Sequence, residues 1–186
     1  MGRVEDLSDV YERHIAAPWQ RNLAGAQKVM FVVYPKEDER KLRAKRREFE
    51  VRTKVAGHTW REFDLTQLFA EWMSRDEYRE AYFECPEDIE MKLDGEFMDY
   101  ASLHLRSVLT AEDIDEDTVV GVFGSASLYG FCRLSLVLKK VEAEILGRLV
   151  FFFPGEYDQN NYRLLDARDG WNYLAVPITL HQGDDT

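Results

Sequence analysis

Three short runs rich in β-branched and aromatic residues limit what this chain can fold into: KVMFVVY at 28–34, TVVGVF at 118–123 and RLVFFF at 148–153. Each is apolar at nearly every position and too short for a helix with a buried stripe. Strands covered on both faces read this way, whereas a strand with one wet face alternates. The spans between them are long enough to carry the chain back and start the next strand in the same direction. Val4, Leu7, Tyr11 and Ile15 predict an amphipathic helix over 3–16, ended by Pro18. Residues 36–54 predict a strongly charged surface helix whose apolar positions are mainly Leu42 and Phe49. A second strand is expected at 59–65 and helices at 66–73 and 76–83, with 86–109 mainly helical from Phe97 on.

The acidic run EDIDED at 112–117 reads as a loop, and Gly124, Ser125 and Ser127 as a turn. Residues 128–146 predict a helix with Phe131, Leu134, Leu138, Val141 and Ile145 as its stripe and Gly147 in the C-cap position. PGEYDQNN reads as a turn, 161–165 and 171–179 as short strands separated by DARDG, and the tail HQGDDT as frayed. Strand, helix, strand, helix is the pattern of a parallel sheet with covering helices. The expected fold is one α/β domain over 1–186. It is a three-layer sandwich with a mainly parallel central sheet and mixed edge strands, RecA- or Rossmann-like without a P-loop.

Charge and cysteine content narrow the function. With a net charge of -11, the whole molecule repels phosphate, so direct nucleic-acid binding is not expected. Cys85 and Cys132 form no CxxC, and read as reduced thiols. The N-terminus MGRVEDLSDVYERH has no apolar core for a signal peptide, and no stretch is long and apolar enough to span a membrane. A cytoplasmic location is expected.

Chemistry has few places to sit. GVFGSASLYG resembles a phosphate-cradling turn between strand and helix, but Phe131 and Cys132 stand where a lysine and a serine or threonine are needed. His14, His58, His104 and His181 are scattered and form no metal-ligand spacing. The segment after RLVFFF carries Glu156, Asp158, Asp166 and Asp169, at the end of a strand where open α/β sheets place ligands. Carboxylates there could bind a metal ion, order the turn by accepting from Arg163 and Arg168, or meet a partner. Residues 36–54 carry nine Lys/Arg against five Asp/Glu, and 71–117 carry four against sixteen, so the surface is polarised.

VFGSASLYGFCRLSLVL followed by LVFFFPGEYDQNNYRLLDARDGWNYLAVPI resembles the C-terminal signature of BrxB, a component of BREX bacteriophage-exclusion systems. The matching features fall on Val122 to Gly124, Tyr129 to Arg133, Phe153 to Tyr157, Arg163 to Leu164 and Asn172 to Tyr173. The chain departs from the common pattern at Gly130, where members carry proline, and at Leu174 to Val176. The resemblance implies a small non-catalytic subunit without a cofactor. It also implies association with the alkaline-phosphatase-like protein PglZ of the same defence system, with other BREX subunits as further candidate partners. The expected partner-binding residues are Pro154, Gly155, Glu156, Tyr157, Asp158 and Arg163, backed by the basic or the acidic segment. Arg133 is expected to anchor a carboxylate near the Pro-Gly-Glu-Tyr turn, and Tyr173 to be structural. The alternatives are a metal-dependent nuclease or phosphatase using Glu156, Asp158 and Asp166, and an ATPase relative that has lost its phosphate loop.

Overall fold

The computed structural model describes residues 2–180, so the HQGDDT tail, with His181, lies outside the described residues. Its centre is a sheet of β1 (Val29–Tyr34), β2 (Thr59–Asp64), β3 (Thr118–Phe123), β4 (Arg148–Asp158) and β7 (Val176–Ile178) in the order β2-β3-β4-β1-β7. Every neighbouring pair along that path is parallel. Two antiparallel strands, β5 (Asn161–Leu164) and β6 (Trp171–Asn172), hang from β4. Counted over the five parallel strands the order is 2-3-4-1-5, a RecA-type arrangement rather than the 3-2-1-4-5-6 order of dinucleotide-binding sheets.

The period of two along each strand divides the core. Met30, Val32 and Tyr34 of β1, with Val150 and Phe152 of β4, face α1 (Arg3–Ala16), α2 (Glu39–Ala44) and α3 (Arg46–Val55). Val29, Phe31 and Val33, with Leu149, Phe151 and Phe153, face the opposite layer. That layer holds α4 (Leu68–Ser74), α5 (Arg79–Glu84), α6 (Glu90–Lys92), a π-helical turn at Leu93–Phe97, α7 (Met98–Leu109) and α8 (Leu134–Val141). Among the described residues, no helix is long and apolar enough to cross a membrane.

The charged helix expected at 36–54 is three pieces. A 3-10 turn at Lys36–Asp38 leads into α2, and Lys45, at φ -103° and ψ 9°, separates α2 from α3. Much of its positive charge is paired within the molecule, while Arg40 and Arg47 are exposed and, among the described residues, stand outside the ion pairs. Lys45 pairs with Glu5, and Arg52 pairs with both Glu12 and Asp9, the latter at 2.6 Å, which ties α3 to α1. Arg43 is taken by Glu39 and Asp64. The basic segment therefore keeps only part of the open cationic surface that its composition suggests.

The helix expected at 128–146 is also shorter. The chain first makes a 3-10 turn at Ser125–Leu128, and Gly130 turns it again at φ +78° before α8 begins. Phe131 leaves the helical stripe to stack on Phe69, with centroids 3.9 Å apart. Gly147 is not a helix cap. A Cβ there would stand 2.0 Å from the Thr118 carbonyl oxygen, so glycine is needed for the close passage of β4 beside β3.

Candidate functional site

The connection after β1 leaves through α2 and α3 on one face of the sheet. The connection after β4 leaves through β5 and β6, whose Tyr162 and Trp171 pack on the other face. β1 and β4 are neighbours, with Tyr34 opposite Pro154, so a crevice opens between their carboxyl ends. Such a reversal is where open α/β sheets bind ligands. Here it holds a cleft of about 490 Å³, lined among others by Lys36, Glu156, Tyr157, Asp158, Arg163 and Asp166. That volume falls in the range of small-molecule sites.

The expected turn PGEYDQNN is instead a projecting arm. β4 runs on past the parallel sheet through Asp158 and pairs antiparallel with β5, Glu156 opposite Arg163 and Tyr157 opposite Tyr162. The reversal occupies two residues, Gln159 at φ +46° and Asn160 at φ +64°. Two positive φ values make the hairpin turn whose twist suits paired strands. Pro154 cannot donate, and it stands where β4 leaves the parallel sheet, a position that tolerates its missing N–H. Its carbonyl accepts from Leu165 at 2.8 Å, and Leu165 is held at φ +52°, an unusual conformation for a leucine lining a cleft.

The arm has a rigid foot and an exposed tip. Tyr162 is fully buried and its hydroxyl donates to the Ala175 carbonyl at 3.1 Å. Its ring joins Phe31, Phe153 and Trp171 in one aromatic cluster. Tyr173 belongs to the same cluster, is buried, and donates to Glu142 at 2.7 Å. Glu156, Asp158, Gln159, Asn160 and Asn161 are exposed.

Three ion pairs border the cleft, while Glu37 and Asp158, which also line it, stand outside them. Arg163 meets Glu156 at 2.6 Å, Lys36 meets Asp166, and Arg3 at the edge meets the buried Asp38 at 2.8 Å. The hydrogen bond to Asp166 raises the Lys36 pKa, so this amine stays protonated and is a poor nucleophile at neutral pH. A nucleotide does not fit this arrangement. β1 is followed by Pro35, which lacks an N–H, and by Glu37, whose exposed carboxylate adds negative charge at the strand end. The corresponding turn after β3 is likewise committed to the fold, with the buried Ser125 hydroxyl donating to the Phe152 carbonyl at 2.8 Å. The carboxylate set Glu156, Asp158 and Asp166 is not assembled as metal ligands. Among the described residues, no group of three His, Cys, Asp or Glu side chains is placed to hold a metal ion.

Arg133 does not anchor a carboxylate. It is exposed at the N-cap of α8, and the fold uses its carbonyl, which accepts from Leu136 at 3.0 Å. The turn at Gly130 redirects the chain just before it, which a single helix over 128–146 would not do. Cys132 is pushed up to about 12, first by burial and then by the charge of Asp94, so it is an unreactive thiol, and it forms no disulfide with Cys85.

Sequence reasoning missed Lys36 as a member of the site, because its partner Asp166 is far along the chain. It also missed a brace between α2 and the end of β2. There Arg43 donates to Asp64 at 3.1 Å and to the Thr66 hydroxyl at 2.7 Å, while Asp64 accepts from the Thr66 N–H at 2.9 Å. Asp-Leu-Thr at a strand end was a local signal for that side-chain turn. Burial pushes the Asp64 carboxyl up, but the Thr66 hydroxyl and N–H and the Arg43 guanidinium outweigh it and hold it below its usual value. A depressed carboxylate contributes stability above its unfolded pKa, near 3.9, and loses it as pH falls through the folded value. Urea unfolding of wild type and Asp64→Asn should therefore differ at pH 7 and converge in strong acid.

Comparison with protein-family models, with curated proteins and with solved structures finds no match for this chain.

Proposed function

We propose that this chain is a non-catalytic binding subunit that grips a protein partner with the β4–β5 arm and the cleft beneath it. The observation that carries this reading is the pairing of a rigid aromatic foot with an exposed, charged tip at the switch point of the sheet. A preorganised platform limits the ordering cost of association. Its ion pairs can exchange partners without leaving a charge buried and alone. The resemblance to BrxB supplies a candidate identity: a subunit of a BREX-type anti-phage complex, with a PglZ-like protein as the partner.

The test is capture of a PglZ-like protein from the same cells by the tagged chain. Glu156→Arg together with Arg163→Glu keeps the internal pair but reverses the face offered to a partner. Capture should fall about tenfold or more, with the melting temperature nearly unchanged, because an exposed pair contributes at most about 1 kcal/mol to stability. Unaltered capture by a folded double variant defeats the arm as the binding element.

A second reading, a nucleotide-binding relic, is favoured by the 2-3-4-1-5 strand order. The residues after β1 argue against retained nucleotide binding.

A further inference from the structure

At the opposite end of the sheet, where the strands begin, two cations stand side by side. Lys28 precedes Val29 and Arg148 precedes Leu149, and Val29 and Leu149 are partners in the β1–β4 pair. Both side chains donate to carbonyls. Lys28 reaches Ile145 at 2.9 Å, and the Arg148 guanidinium reaches Gly147 at 3.0 Å and Gln20 at 3.1 Å. Arg148 is only 7% exposed and lies over the Trp19 ring, 4.5 Å from its centroid. Trp19 itself stacks on His58 with centroids 3.7 Å apart, which fixes the ring.

A buried cation is costly unless an anion accompanies it. Among the described residues, neither Lys28 nor Arg148 forms an ion pair, in a chain that has 35 carboxylates against 24 Lys and Arg. A guanidinium carries five N–H donors, and two carbonyls do not use them up. Lys28 and Arg148 both line a cavity of about 80 Å³. Arg21, Glu116 and Asp117 line it too; Glu116 is engaged by Arg21 at 3.4 Å and the Asp117 carboxylate is exposed, so the lining holds three cations against two carboxylates. The cavity is far below the ~300 Å³ at which pockets for drug-sized ligands begin, and suits one oxyanion.

We propose that this cavity binds a small oxyanion, a group of carboxylate or phosphate size, between Lys28 and Arg148. The planar fork of Arg148 would bind it through two N–H groups, and Lys28 would supply the second charge. The site lies at the other end of the strands from the arm, so it goes beyond the binding function proposed above and can be tested without the partner.

The full chain is titrated with inorganic phosphate and, separately, with acetate. Chloride holds the ionic strength constant, and tryptophan fluorescence and melting temperature are followed. Saturable binding with a rise in melting temperature is expected for at least one of the two anions. Lys28→Met, on the half-buried rim, should weaken that binding by about tenfold, the scale of one charge-assisted hydrogen bond. Trp19→Phe should remove the fluorescence change and keep the thermal shift. Arg148→Lys should weaken binding as well; if it does not fold, Lys28→Met decides alone. A response that never saturates, or binding undiminished in folded Lys28→Met, overturns the proposal.

Discussion

Phe31→Ala is expected to lower the stability of the domain by about 3–5 kcal/mol and its melting temperature by roughly 6–20 °C. Phe31 is fully buried in the central strand β1, and its ring touches those of Phe151, Phe153, Tyr162, Trp171 and Tyr173. Truncation removes the shared contact of five rings that come from three separate segments, and such a gap collapses poorly. The consequence extends beyond stability, because Tyr162 and Trp171 are the foot of the arm. Amide hydrogen exchange in β5 and β6 should accelerate more than in β3, on the far side of β4 from Phe31. Chemical denaturation measures the first effect and exchange the second. Uniform acceleration across the sheet would mean that the arm has no separate dependence on this ring.

Gly155→Ala should disable the arm at its root. A Cβ at this position would stand 2.0 Å from the Arg163 carbonyl oxygen and 3.0 Å from the Phe153 ring. Backbone cannot yield as a side-chain end does, so the pairing of Gly155 with Leu164 has to open or shift. Overpacking of this kind costs about 1–3 kcal/mol or more. A shift of one residue would also turn Glu156 and Asp158 to the opposite face. The expected result is a fall of several degrees in melting temperature together with loss of partner capture. Gly95→Ala is the matched control, since a Cβ there meets nothing within 4 Å. An arm variant that captures its partner normally would show that the register of β4 and β5 is immaterial to binding.

How far the sequence could be read depended on whether local pattern or distant packing decided the outcome. The apolar runs marked β1, β3 and β4 because strands buried on both faces have no polar positions to confuse the pattern. Edge strand β2 was legible from Trp60 and Phe63 alone. The arm was legible only in part: 161–165 reads as a strand and is β5, but Pro154, Gly155, Gln159, Asn160 and Asn161 crowd turn-forming residues into a short stretch, and that density hides the extension of β4 through Asp158. Gly147 looked like a helix stop because the Thr118 carbonyl that requires a glycine lies on another strand. Arg133 and Lys36 failed in opposite senses. One was given a partner it does not have, and the other has a partner, Asp166, that only the folded chain brings near. Of the candidate site, Glu156, Tyr157, Asp158 and Arg163 were legible as one group because they flank a single hairpin turn.

Where α1 packs on α3, Lys45 and Arg52 are matched by Glu5, Asp9 and Glu12, so that seam adds little net charge. The uncompensated carboxylates gather instead on the stretch from α5 to α7, where Glu84, Glu87, Asp88 and Glu90 all face solvent. The protein is thus electrically lopsided. A cationic body drifting past would turn it before touching it, and dissolved salt would blunt that torque within a Debye length of about 8 Å.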